Sequence, residues 1–289
     1  MRTRKIITAL SIAVAAALSA PVLASADGGG NAMDRTGRKA LTAVGLTANQ
    51  RLVEFTVDRP GKSMSIGRVT GLSGDTKLVG IDFRVQNEKL YGVGDRGGIY
   101  TLDTGSARAT KVSQLTVALS GRQFGVDFNP AANRLRVISN TGQNLRHNLD
   151  DAAAPLGTTV DGTLTNPTTP PSTAMGVTGA AYTNNDLNTA TATTLFDIDT
   201  TADRVSLQSP ANAGTLAPTG NLGVAAGPDA GFDIYFSPKY GTNQGFAALN
   251  TGGAFRLYGV DVLTGAARDM GAFPKQQQVT DLALPLDQG

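Results

Sequence analysis

The sequence predicts an all-β protein, a β-propeller of five blades closed by its own C-terminal strand. Three observations predict it. Glycine occupies 35 of 289 positions, and it stands with many Thr and Asn residues, a composition that favours turns and strands over helices. Two short phrases recur five times each, at spacings close to the period of about 40 to 50 residues that marks propeller blades. The chain also starts inside a repeat and ends on an isolated first strand, which is placed to complete the first blade and tie the ring shut.

Taken in order, the chain opens with a secretory leader over residues 1–26. Arg2, Arg4 and Lys5 make a basic start, Ile6 to Leu18 an apolar run, and Ala24-Ser25-Ala26 a small-residue cleavage site, so that the mature chain begins at Asp27. The apolar run stops before Pro21, short of the roughly 20 residues a membrane-spanning helix needs. Residues 27–39 read as a disordered lead-in, and 40–289 as a single propeller domain. The first blade starts at Leu41 to Leu46. The first phrase follows as Gly80-Ile81-Asp82-Phe83, Gly125-Val126-Asp127-Phe128, Gly179-Ala180-Ala181-Tyr182, Gly231-Phe232-Asp233-Ile234 and Val279-Thr280-Asp281-Leu282, with third positions 45, 54, 52 and 48 residues apart. The second phrase ends in Asp58, Asp103, Asp150, Asp199 and Asp261, at intervals of 45, 47, 49 and 62. A third run lies between the phrases, as in Lys89 to Val93 and Arg134 to Ile138. A further β-like run such as Ala109 to Leu115 follows the second phrase, which gives each unit the four strands of a blade. Ala152 to Thr194 is irregular, which leaves a count of six blades open, and its Thr- and Pro-rich stretches, Asn166 to Thr173 and Asn184 to Thr194, read as loop or insertion. A β-sandwich also has many short strands, but it does not predict the permuted ends.

The residues Gly125 to Pro130, Asn133 to Val137, Gly142 to Arg146 and Thr194 to Gly223 resemble a family of bacterial exported proteins grouped as a domain of unknown function, number 4394. The match runs from about Ala40 to Leu286. The resemblance implies a secreted, propeller-like repeat domain and carries no assigned activity, so it supplies no catalytic residue.

Composition excludes much chemistry. The chain has no Cys, no Trp and one His, His147, which removes disulfides, Cys/His zinc sites and Cys nucleophiles. Without the leader's three cations, 22 basic residues face 23 acidic ones, and no polybasic patch points to nucleic acid or to an anionic membrane. The expected product is an exported monomer, extracellular or periplasmic, with no membrane insertion once the leader is gone.

Each first phrase belongs on the innermost strand of its blade, beside the central channel. Asp82, Asp127, Asp233 and Asp281 then form a partial acidic ring, broken by Ala181, near a mouth rimmed by Asp95, Arg96 and Asn140. Asp82, Asp127 and Asp281 would suit Ca²⁺ or another oxygen-seeking cation. The competing role is architectural, each Asp accepting hydrogen bonds from neighbouring turn backbone and pinning one blade to the next. The third repeat breaks the apolar pattern with Arg146 and His147, next to Gln143 and Asn144, and such local rule-breaking is where a site is expected. Arg146 with flanking amides suits an anion, with Asp127 as its nearest partner if it points inward. The resulting reading is a non-catalytic binding module for a small polar ligand, an envelope component or a protein, on the face carrying the Gly-rich loops. The alternative is a carbohydrate-active hydrolase or lyase using channel-mouth Asp residues. That alternative lacks an obvious acid: Glu54 and Glu88 are the only glutamates, and both are expected away from the channel.

Overall fold

The computed structural model describes residues 41–288; the leader over 1–26 and the lead-in over 27–39 lie outside the described residues. The strands nearest the ring axis are buried along almost their whole length and the outermost ones are largely exposed, and hairpin turns link them into antiparallel sheets. The first three strands are β1 (Thr42–Thr47), β2 (Arg51–Thr56) and β3 (Met64–Arg68). The second blade is β4 (Leu78–Arg84), β5 (Lys89–Gly94), β6 (Gly98–Leu102) and β7 (Ala109–Gln114), and the third is β8 (Phe124–Asn129), β9 (Arg134–Ser139), β10 (Asn144–Asn148) and β11 (Gly157–Val160). A two-stranded ribbon, β12 (Thr165–Asn166) and β13 (Ser172–Thr173), occupies the irregular stretch, which is an excursion and not a sixth blade. The fourth blade is β14 (Val177–Tyr182), β15 (Leu195–Asp199), β16 (Arg204–Gln208) and β17 (Leu216–Asn221). The fifth is β18 (Ala230–Ser237), β19 (Thr242–Thr251), β20 (Ala254–Val260) and β21 (Ala267–Ala272).

The last strand, β22 (Val279–Ala283), pairs antiparallel with β1 and becomes the inner strand of the first blade. Five four-stranded sheets result, so the expected propeller, its blade count and its closure all stand. One alignment does not: Leu195–Asp199 forms the second strand of its blade, whereas the matching phrase elsewhere forms the third. The long turn from Asn184 to Thr194 displaces the phrase by one strand, which accounts for the 62-residue gap that follows it.

Adjacent blades pack face to face through apolar clusters. Phe83, Leu90 and Tyr100 meet Leu46 and Leu52 between the second and first blades, and Phe128, Leu135 and Leu145 meet Tyr91 and Val93 between the third and second. Phe232 and Ile234 meet Phe196 and Ile198 between the fifth and fourth, and Phe55 meets Tyr235 and Phe246 between the first and fifth. Between the third and fourth blades the apolar set is smaller, built on Ile138, Tyr182 and Leu195. Arg136 fills the remainder, as described below.

Candidate functional site

The inner strands approach closely enough to exclude side chains at one level. A Cβ on Gly231 would lie 2.3 Å from Asp281 Cα, and one on Gly125 would lie 2.7 Å from Ala180 N. Two residues further along the second, third and fifth inner strands come Asp82, Asp127 and Asp233, all buried, and Asp281 on β22 is buried with them. Each reaches across to the next inner strand of the ring. Phe128 N donates to Asp82 Oδ2 at 2.7 Å, Tyr182 N to Asp127 Oδ1 at 3.2 Å, Leu284 N to Asp233 Oδ2 at 2.6 Å, and Ile81 N to Asp281 Oδ2 at 2.7 Å. Phe83 N and Ile234 N fill the second oxygens of Asp82 and Asp233 at 2.7 and 2.6 Å. The donors are amides of the inner strands and not of the turns. At the fourth blade Ala181 has no such bond to offer, and it packs with Phe232 of the fifth blade instead.

One carboxylate oxygen from each of Asp82, Asp127 and Asp233 lies within 4.8 Å of the others. Asp281, placed in the expected cation set, is not in this trio. Burial pushes the Asp82 and Asp127 carboxyls well above the usual range, and the charges of their neighbours add to it. Burial likewise raises Asp233 to about 6 and Asp281 well above its ordinary value. Asp127 Oδ2 is buried without a hydrogen-bond partner.

The loops between second and third strands do emerge beside the starts of the inner strands, as Asp95 N donating to Lys77 O and Asn140 N to Gln123 O indicate. Their polar side chains are spent on the loops themselves. Asp95 accepts from Thr76 N and Thr76 Oγ1, and these bonds outweigh burial and hold its carboxyl below the ordinary value. Arg96 Nη1 donates to Gly74 O, Asn140 Oδ1 accepts from Arg122 N, and Gln143 spans Ser120 N and Ala118 O. Asn144 Nδ2 donates to Gly162 O and Ala211 O.

Arg146 does not reach Asp127. Its Nε donates to Asp161 Oδ1 at 2.9 Å, and its side chain is 37% exposed. The inward cation of the third blade is Arg136 on β9, which sequence reasoning passed over. It donates to Tyr182 Oη, Asn144 Oδ1, Asp161 Oδ2 and Asn212 Oδ1, binding the third blade to the fourth. Its neighbour across that seam, Asp197, is fully buried with both oxygens unpartnered, and burial raises its carboxyl well above the usual range. No signal pointed to Arg136, because its partner Asp161 sits in an aperiodic loop. His147 is buried between Ser113 Oγ at 2.8 Å and Thr158 Oγ1 at 2.9 Å, and burial lowers its pKa.

An open groove of about 640 Å³ lies on the opposite face, at the β4–β5 and β6–β7 turns of the second blade. Glu88, Lys89, Thr101, Asp103, Ser106 and Arg108 line it. Asp103 is held by its own turn through Gly105 N and Ser106 N, whereas the Lys89 and Arg108 side chains have no partner among the described residues.

A ring of five blades whose first and last described strands share one sheet defines the class: a closed five-bladed β-propeller. Within that class the chain belongs to the family Domain of unknown function (DUF4394), whose model matches residues 51–283. A search of the curated proteins finds no match. Among solved structures, a protein from Lactobacillus plantarum is similar at 18% identity and a TM-score of 0.42, covering 81% of this chain and 67% of that one. An auxiliary nutrient binding protein from Bacteroides ovatus is similar at 14% identity and 0.42, covering 72% of this chain and 56% of that one. A protein of unknown function from Bacteroides thetaiotaomicron is similar at 14% and 0.45, covering 85% and 65%. At these identities and scores the likeness assigns no ligand and no activity. Among the described residues, no helix is long and apolar enough to cross a membrane.

Proposed function

We propose that the protein is an exported, non-catalytic binding module for a small polar ligand, acting as a monomer, and that the ligand sits in the groove of the second blade. The leader over residues 1–26 supports export, to the periplasm or beyond. The observation that carries the ligand site is the groove itself, where Lys89 and Arg108 stand unpaired beside Glu88 and hydroxyl groups. Unpaired cations beside hydroxyls in a concave surface are what a polar or anionic ligand needs. The Gly-rich face, with its side chains committed to their own turns, fits architecture better. Sugar cleavage would need two free carboxyl groups facing an open cleft; of the two in the groove, Glu88 and Asp103, the second is held by its own turn through Gly105 N and Ser106 N, which favours binding over hydrolysis.

The test is a thermal-shift screen of sugars, sugar acids, amino acids and dicarboxylates on the mature chain, followed by titration calorimetry. A true ligand raises the melting temperature by mass action. The expected result is a shift in the parent protein that disappears in the Lys89→Ala/Arg108→Ala double variant, with the unliganded melting temperature unchanged. No shift with any compound, or a shift that survives both substitutions, overturns the assignment.

A further inference from the structure

The acidic trio on the inner strands poses a problem that hydrogen bonding alone does not solve. Asp82, Asp127, Asp233 and the nearby Asp281 are all buried, and among the described residues no Lys or Arg pairs or hydrogen-bonds with any of them. Burying carboxylates without counter-charge is strongly unfavourable, so they must carry protons or share a cation. Amides from the backbone offset part of the cost, but each amide uses only one of the two lone pairs on an oxygen. Asp127 adds a second observation. Its side chain is 1% exposed, yet Oδ2 has no partner of any kind, whereas both oxygens of Asp82 and Asp233 accept amides.

The geometry fits a metal. Two oxygens bound to one Ca²⁺ at 2.3–2.6 Å cannot be more than about 5 Å apart. The three carboxylates each present an oxygen within 4.8 Å of the other two. The donor set is all oxygen and strongly anionic, which suits a hard divalent ion and not a soft one. We propose that a divalent cation of the Ca²⁺ class is held inside the ring of inner strands by Asp82, Asp127 and Asp233, where it joins the second, third and fifth blades. The orphan Oδ2 of Asp127 is the oxygen this cation completes. Asp281 stands outside the set, accepting the amide of Ile81. The site is separate from the groove and does not depend on it.

The experiment uses the mature chain, stripped with chelator and dialysed against buffered Ca²⁺ near neutral pH. Bound metal is measured by inductively coupled plasma mass spectrometry and melting temperature is recorded in parallel. The expected result is one Ca²⁺ per chain, with a melting temperature that rises on adding Ca²⁺ and falls again with chelator. Asp127→Asn keeps an oxygen for the Tyr182 amide but removes one ligand charge; it should bind Ca²⁺ about tenfold or more weakly and lose most of the Ca²⁺-dependent shift. The Lys89→Ala/Arg108→Ala variant should bind Ca²⁺ as the parent does, so failure of the groove and failure of the cation site remain distinguishable. The proposal is overturned if the parent takes up no stoichiometric Ca²⁺ and melts identically with Ca²⁺ and chelator, or if Asp127→Asn binds like the parent. Should Asp127→Asn not fold, Asp233→Asn serves the same comparison, and the parent measurement decides by itself.

Discussion

Arg136 and Arg146 lie opposite each other on paired strands, yet they do different work. Arg136 is 3% exposed with four partners, and Arg146 is 37% exposed with one. Replacing a buried, fully hydrogen-bonded charge strands its partners, so Arg136→Leu should cost about 3 kcal/mol or more. Arg146→Leu should cost under about 1 kcal/mol, as exposed pairs do. Urea denaturation of the two variants checks the contrast, and equal losses would contradict it. The sequence pattern flagged the less important of the two, because an Arg at an expected apolar position is visible as an exception, while one whose partner comes from a loop is not. His147 offers a second check. Burial lowers its pKa, so the unfolded chain takes up the proton first, and the stability it contributes above the unfolded value of about 6.5 is lost as pH falls through that value. The acidic ring, with raised pKa values, acts in the opposite direction in metal-free protein. The difference in unfolding free energy between parent and His147→Gln, followed from pH 7.5 to 5.5, isolates the imidazole; that difference should shift in favour of the variant on acidification.

At the scale of elements, phrase repetition was enough to place the inner strands, because each Gly–x–Asp phrase reports close approach followed by an inter-blade bond. In the four phrases that begin with glycine, that glycine is required sterically. Gly231→Ala puts a methyl group 2.3 Å from Asp281 Cα, between two strands that cannot separate without breaking the ring. Overpacking of this kind should cost about 3 kcal/mol. Gly105→Ala, in an open turn where the nearest atom is Asp103 Oδ1 at 3.5 Å, is the control and should melt close to the parent. Differential scanning calorimetry separates the outcomes. The fourth blade shows where such reading fails. Its second phrase, Leu195–Asp199, is intact, but the turn before it is long, and a phrase carries no information on which strand of a blade it will occupy.

For the molecule as a whole, the permuted ends were legible because an unpaired first strand at one terminus and a missing first strand at the other have only one economical resolution. Ending the chain at Gln278 removes β22, exposes the edge of β1 and opens the apolar cluster that Val279 and Leu282 share with Phe55 and Tyr235. Such a truncation should fail to give a cooperative melt and should elute as aggregate on size exclusion; a monomer with the parent melting temperature would contradict closure by β22. The face that carries the groove was not legible. Strand patterns assign side chains to one surface of a blade or the other, whereas concavity depends on how far each turn projects.

The pairing of β1 with β22 has a further consequence in time. The second to fifth blades are each written in one continuous stretch, so each can form as soon as its residues are available. The first blade cannot: Leu46 must wait for Asp281, more than two hundred positions downstream. Until β22 is made, β1 therefore presents an unpaired edge, and β22 is the strand that removes it. Closure of the ring is then the late and slow event, bought with a long loop closure, and any delay before β22 pairs leaves four finished blades and an open first one, able to accept β22 of a neighbouring copy in place of its own.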